Sequence, residues 1–133
     1  MQVSTGCVLV GHTRQRLSEG LRGLLQASFG GVFMVADRPS LIEGATRLQP
    51  VLVVVEMALA EGDLRALVDD LHRGAPESRT LLVSDHEDPR VDEAALSAGA
   101  DGVVHFVSLA ADFSHAVDAV LAGRRYPPPS GTH

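Results

Sequence analysis

The run Leu52-Val53-Val54-Val55 places four apolar residues in succession with no polar residue at alternate positions. A strand with one wet face alternates, so a strand that does not must be covered on both faces, as in a parallel sheet sandwiched between helices. The rest of the chain fits that requirement, because short apolar runs alternate with longer segments of helical period. Cys7-Val8-Leu9-Val10 ends at Gly11 and is followed by Leu17, Leu21, Leu24 and Leu25, which predict a helix running up to Gly30-Gly31 as its breaker. Val32 to Ala36 reads as a second strand, and Ser40, three residues before Glu43 in capping-box spacing, predicts the start of a helix ending near Gln49-Pro50. After the central run, a helix from Leu64 to His72 stops at Gly74 and Pro76, and Thr80 to Val83 forms a fourth strand ending at Ser84-Asp85. Pro89 suits a helix start, with Asp88 as its cap; this helix reaches Ala98 and closes at Gly99. Gly102 to His105 is a short fifth strand, and Leu109 to Leu121 the last helix, with Ala110, Phe113, Val117, Val120 and Leu121 as its buried stripe.

Length and composition bound the function. A chain of 133 residues is the size of one compact domain, and 45% hydrophobic with 21% charged residues supports an ordinary core. The net charge of -6 repels phosphate backbones, so direct nucleic-acid binding by this domain is not expected. All basic residues are arginines, which closes any mechanism that needs a lysine. A lone cysteine, Cys7, and the lack of a zinc-ligand pattern argue for a reducing compartment, hence a cytoplasmic location. No apolar run approaches a membrane span and no secretory leader is evident at Met1-Gln2-Val3-Ser4. Residues 127–133, beginning Pro127-Pro128-Pro129, should leave the domain of residues 1–126 as a stiff tail or linker.

In an open α/β sheet, ligands gather at the carboxyl ends of the strands. These ends are Gly11-His12-Thr13, Glu56, Ser84-Asp85 and Phe106. No glycine-rich fingerprint or P-loop follows the first strand, so nucleotide chemistry is disfavoured. Ser84, His12 and Glu56 could be drawn as a hydrolase triad, but no Gly-x-Ser-x-Gly elbow presents the serine.

The order of elements, together with Leu17 to Leu25 (LSEGLRGLL), Gln49 to Glu56 (QPVLVVVE) and Ser97 to Val104 (SAGADGVV), resembles the response-regulator receiver domain of two-component signalling and phosphorelays. The similarity spans about Val8 to Tyr126. The ending Ala116 to Tyr126 (AVDAVLAGRRY) is similar to receivers that precede LuxR-type DNA-binding output domains. The resemblance implies a CheY-like, flavodoxin-like α/β/α sandwich with five parallel strands in the order 2-1-3-4-5.

It also assigns positions, and there the sequence departs from the family. The two acids that hold Mg²⁺ in phosphorylating receivers fall on His12 and Thr13, which offer at most a hydroxyl oxygen. The phospho-acceptor aspartate falls on Glu56, one methylene longer. The switch hydroxyl is retained as Ser84, but its aromatic partner falls on Val103, the phosphoryl-contacting lysine on Phe106, and the loop proline on Ala60.

The resemblance therefore implies an atypical receiver, not an enzyme, with no resident metal or cofactor. It would be the regulatory module of a transcriptional regulator, acting through protein contacts such as a sensor kinase, an output domain or a second copy in a homodimer. The alternatives are a receiver phosphorylated on Glu56 and a small-ligand sensor built on the same pocket. A plain structural acid or a phosphoaspartate mimic are both open readings of Glu56, with Ser84, Thr13 or His12 as its donors. His12 is expected to replace the missing acid structurally, through a pairing with Glu56. His86 and His105 are expected in a loop and at a strand edge with no defined role, and Asp85 to Asp88 in a solvated loop. If Phe106 or Val107 is exposed, the apolar patch there would be a docking or dimer surface.

Overall fold

The computed structural model describes residues 4–127. In chain order it contains β1 (Ser4–Gly11), α1 (Gln15–Gln26), β2 (Phe29–Val35), α2 (Arg38–Leu48), β3 (Leu52–Glu56), α3 (Leu64–Gly74), β4 (Arg79–Ser84), α4 (Pro89–Ser97), β5 (Gly102–His105) and α5 (Leu109–Leu121). Short 3₁₀ turns follow β3 at Met57–Ala60 and β5 at Phe106–Ser108. The five strands form one parallel sheet in the order β2-β1-β3-β4-β5, as the sequence predicts.

The period-2 geometry of strands sorts the core into two layers. Val8 and Val10 of β1, with Leu52 and Val54 of β3, pack under Leu17, Leu21 and Leu25 of α1 and Phe113, Val117 and Val120 of α5. Leu9, Val53 and Val55 face the opposite way, onto Leu41 of α2, Leu67 and Leu71 of α3 and Ala95 of α4. Every residue of β3 is buried, which is why this strand carries no alternation.

Two expectations are corrected. Ser40 does not cap α2; Asp37 does, its carboxylate accepting from the Ser40 N–H at 2.8 Å, with Pro39 in the first turn. The same chemistry recurs at Asp63, which accepts from the Ala66 N–H at 3.0 Å, and at the predicted cap Asp88, which accepts from the Arg90 N–H at 2.9 Å. Gly30 and Gly31 do not separate α1 from β2 but lie inside β2, where Gly31 pairs with Cys7. The strand begins early because Phe29 is anchored in the α1/α5 layer, and a register shift between Ser4 and Cys7 absorbs the mismatch.

Residues 128–133, most of the predicted tail, lie outside the described residues. Among the described residues no helix is long and apolar enough to cross a membrane.

Leu9 is fully buried between β1 and the α2/α3 layer, so Leu9→Ala should cost about 2–5 kcal/mol, read as a lower urea midpoint at unchanged slope. The helix caps add a pH dependence. The Ser40 N–H holds the Asp37 carboxyl below its ordinary range, and the Arg90 side chain, then its N–H, does so for Asp88. Their stabilisation is complete above the unfolded-state value and disappears as pH falls through the lower folded value. Replacing both by Ala should therefore flatten the decline in Tm as pH falls below the ordinary aspartate range of about 4, followed by circular dichroism.

Candidate functional site

The sheet's C-terminal edge gathers the ends of β1, β3, β4 and β5. Glu56 closes β3 and is 2% exposed. A carboxylate so far from water needs donors, and Thr13 supplies two. The Thr13 N–H donates to Glu56 Oε2 at 3.0 Å, and the Thr13 hydroxyl donates to the same oxygen in a short contact. Glu56 Oε1 is buried too and has no hydrogen-bond partner among the described residues. The first loop, between β1 and α1, is thus tied to the central strand through one carboxylate oxygen.

His12 takes no part in this pairing. Its N–H donates to the Val35 carbonyl at 2.9 Å and extends the β1–β2 ladder, while its ring makes no hydrogen bond or ion pair among the described residues. The expected His12–Glu56 contact is replaced by Thr13, whose amide and hydroxyl converge on the acid from a single residue. Ser84 is fully buried, but its hydroxyl accepts from the His86 N–H at 3.0 Å and donates to the His86 carbonyl at 3.2 Å. It is therefore closed onto its own loop and serves neither Glu56 nor His12. Val103 is 2% exposed and belongs to the layer under α2, α3 and α4.

Phe106 begins the 3₁₀ turn after β5 and packs against the α1/α5 layer. The Arg14 guanidinium lies over its ring, 4.5 Å from the centroid, and Arg14 Nη2 donates to Asp85 Oδ2 at 3.1 Å. This cation–π contact and ion pair bridge three strand ends in one assembly. Arg14 was not singled out from the sequence. The available signal was an unassigned cation beside Thr13 in a chain with an aromatic residue at the lysine position.

The neighbouring histidines also have partners. His105 Nε2 stands 2.9 Å from Asp92 Oδ1, joining the end of β5 to α4, and His86 Nε2 is 3.3 Å from Asp85 Oδ1. Asp85 is thus engaged by both Arg14 and His86, and Asp88 by Arg90. Val107 is the most open large apolar side chain described, at 71% exposure.

The donor set does not fit magnesium, which demands near-octahedral oxygen ligands. The Thr13 hydroxyl and Glu56 Oε2 are spent on one another, the Asp85 carboxylate is paired with a guanidinium, and that cation opposes a second one. Among the described residues no group of three or more His, Cys, Asp or Glu side chains is placed to hold a metal ion.

This architecture is that of the receiver domains of response regulators, which are signalling modules. The chain resembles the two-component response regulator of the LuxR family from Aurantimonas sp. SI85-9A1, at 25% identity and TM-score 0.81, over 92% of this chain and 89% of that one. The isolated receiver domain of RcsB from Salmonella enterica serovar Typhimurium gives 19% identity and TM-score 0.81 over 95% and 94% of the two chains. The receiver domain of NarL from Mycobacterium tuberculosis gives 22% and 0.77 over 91% and 99%. No protein-family model and no curated protein matches the chain.

Removing the Thr13 hydroxyl strips a buried carboxylate of one of two donors, so Thr13→Val should destabilise the domain by roughly 1–3 kcal/mol. A double-mutant cycle with Glu56→Gln, read by urea unfolding, should show the two substitutions to be non-additive by about 0.5–3 kcal/mol.

Proposed function

We propose that this receiver module works without Mg²⁺-dependent phosphorylation, as the regulatory domain of a transcriptional regulator whose output is set by protein contacts. The observation that carries this reading is the Thr13–Glu56 clamp. Phosphoryl transfer depends on an acceptor oxygen open to in-line approach and on a metal that neutralises developing charge. Here one oxygen of the acid is occupied by two donors, the other is enclosed, and Arg14 and Phe106 cover the adjoining strand ends. The missing aromatic at Val103 and the closure of Ser84 onto His86 point the same way, since neither supplies the family's hydroxyl–aromatic switch.

A buried acid held through one oxygen by an amide and a hydroxyl serves as a fixed structural anchor, so the state of the domain follows its partners. The resemblance to LuxR-family receivers supports a sensor kinase, an output domain or a second copy as those partners, and the net negative charge does not favour nucleic acid. The exposed Val107, next to the Arg14–Phe106 stack, supports contact or homodimer formation at this end. The same reading treats residues 1–126 as the domain and residues 127–133 as a linker.

The test is incubation of the protein with acetyl phosphate and Mg²⁺, followed by intact-mass measurement and light scattering. The expected result is no added phosphoryl mass and no change in molar mass. A gain of one phosphoryl group that disappears in Glu56→Ala would overturn the proposal and establish a glutamyl receiver instead.

A further inference from the structure

The last helix is followed by a segment that does not leave the domain at once. After α5 the chain turns through Gly123, in the left-handed region at φ 83°, and runs back along the open edge of β5. The Val103 N–H donates to the Tyr126 carbonyl at 2.7 Å, the Tyr126 N–H donates to the Asp101 carbonyl at 3.2 Å, and Gly102 and Tyr126 pair as a parallel bridge. Those two bonds satisfy edge groups that β4 cannot reach, since successive backbone groups of a strand point to opposite sides.

The sequence has made room for this contact. Gly102 has no left-handed backbone to explain it, yet a Cβ there would stand 3.1 Å from the Tyr126 carbonyl oxygen, 2.9 Å from Val120 Cγ1 and 3.0 Å from Leu81 Cδ1. The position is bare because core and returning chain both crowd it. Tyr126 is half-buried against the α1/α5 layer; burial, and then the Asp112 carboxylate of α5, push its hydroxyl above the ordinary tyrosine range.

β5 is only four residues long, and its other end enters the candidate site. His105 holds Asp92 of α4, and Phe106, the next residue, lies under Arg14. One short strand is therefore fixed at its C-terminal end by the Arg14–Phe106–Asp85 assembly and along its outer edge by the segment that follows α5. Only Val104 and His105 separate Val103 from Phe106 along the chain.

We propose that residues 124–127 form a strap on β5 that couples the Arg14–Phe106 contact to the path the chain takes on leaving the domain. Loosening the stack shifts β5 and weakens the strap, and releasing the strap loosens the stack, because coupling between two sites is reciprocal. The device does not depend on whether Glu56 can be phosphorylated, so its failure would leave that reading untouched.

Residue-resolved amide hydrogen exchange on the whole 133-residue chain tests it. In the unaltered protein the Val103 amide should be protected although it lies on the sheet edge. Tyr126→Ala should speed its exchange at least about tenfold with Val54 unchanged, while Tyr126→Phe, which keeps the ring, should stay within about twofold of wild type. Arg14→Ala, at the far end of β5, should speed exchange at both Val103 and Tyr126 by about threefold or more. A Val103 amide that is unprotected in the unaltered protein would show that there is no strap, whatever the variants do. An Arg14→Ala effect that stops at Phe106 would show a strap without coupling and would equally overturn the proposal.

Discussion

A carboxylate at the end of a strand covered on both faces is the constraint around which this domain is arranged. Glu56 cannot be left unpaired in that position, and the donors that reach it are the amide and hydroxyl of Thr13. That requirement sets the path of the first loop, because Thr13 must fold over the end of β3 before α1 can begin at Gln15. Once Thr13 is placed, Arg14 is carried to the ring of Phe106 and the carboxylate of Asp85. The clamp holds a carboxylate that is 2% exposed, although Thr13 itself is exposed. The Arg14 contacts are more exposed, with about half of each partner's side chain in water at the ion pair, and each contributes about 1 kcal/mol or less. The combination gives a tight anchor beneath a looser cover.

On the residue assignments that the resemblance implies, this end differs from a phosphorylating receiver in the sign of its charges as well as in its residues. Two acids that would draw a divalent cation are replaced by a half-buried imidazole and a hydroxyl, and the cation that is present is carried by the loop rather than by the end of β5. Phe106, which removes a charge at the lysine position, provides the surface on which Arg14 rests. The two departures from the family are physically linked: a lysine at position 106 would repel Arg14 where an aromatic ring attracts it.

The layered fold was legible because it rests on local periodicity. The boundaries of β5 and α5 follow from Gly102 and from the apolar stripe of α5, and the burial of β3 from its lack of alternation. The errors came where two local signals competed. Ser40 with Glu43 looks like a capping box, but Asp37 stands one residue before Arg38-Pro39 and captures the free N–H first. Gly30-Gly31 looks like a break, but the burial of Phe29 brings the strand through both glycines. At the site, Thr13 was one of three donors open to Glu56, with Ser84 and His12, and the sequence could not choose among them.

Residue order alone determined the parallel sheet and the acid at the end of its middle strand, since these depend on side-chain type and spacing along one element. Only the folded chain decided that Thr13 rather than His12 holds Glu56, that Ser84 turns to its own loop, and that Tyr126 lies along β5. Those contacts join residues from 23 to 43 positions apart or depend on which way a loop closes, and periodicity carries no information about either.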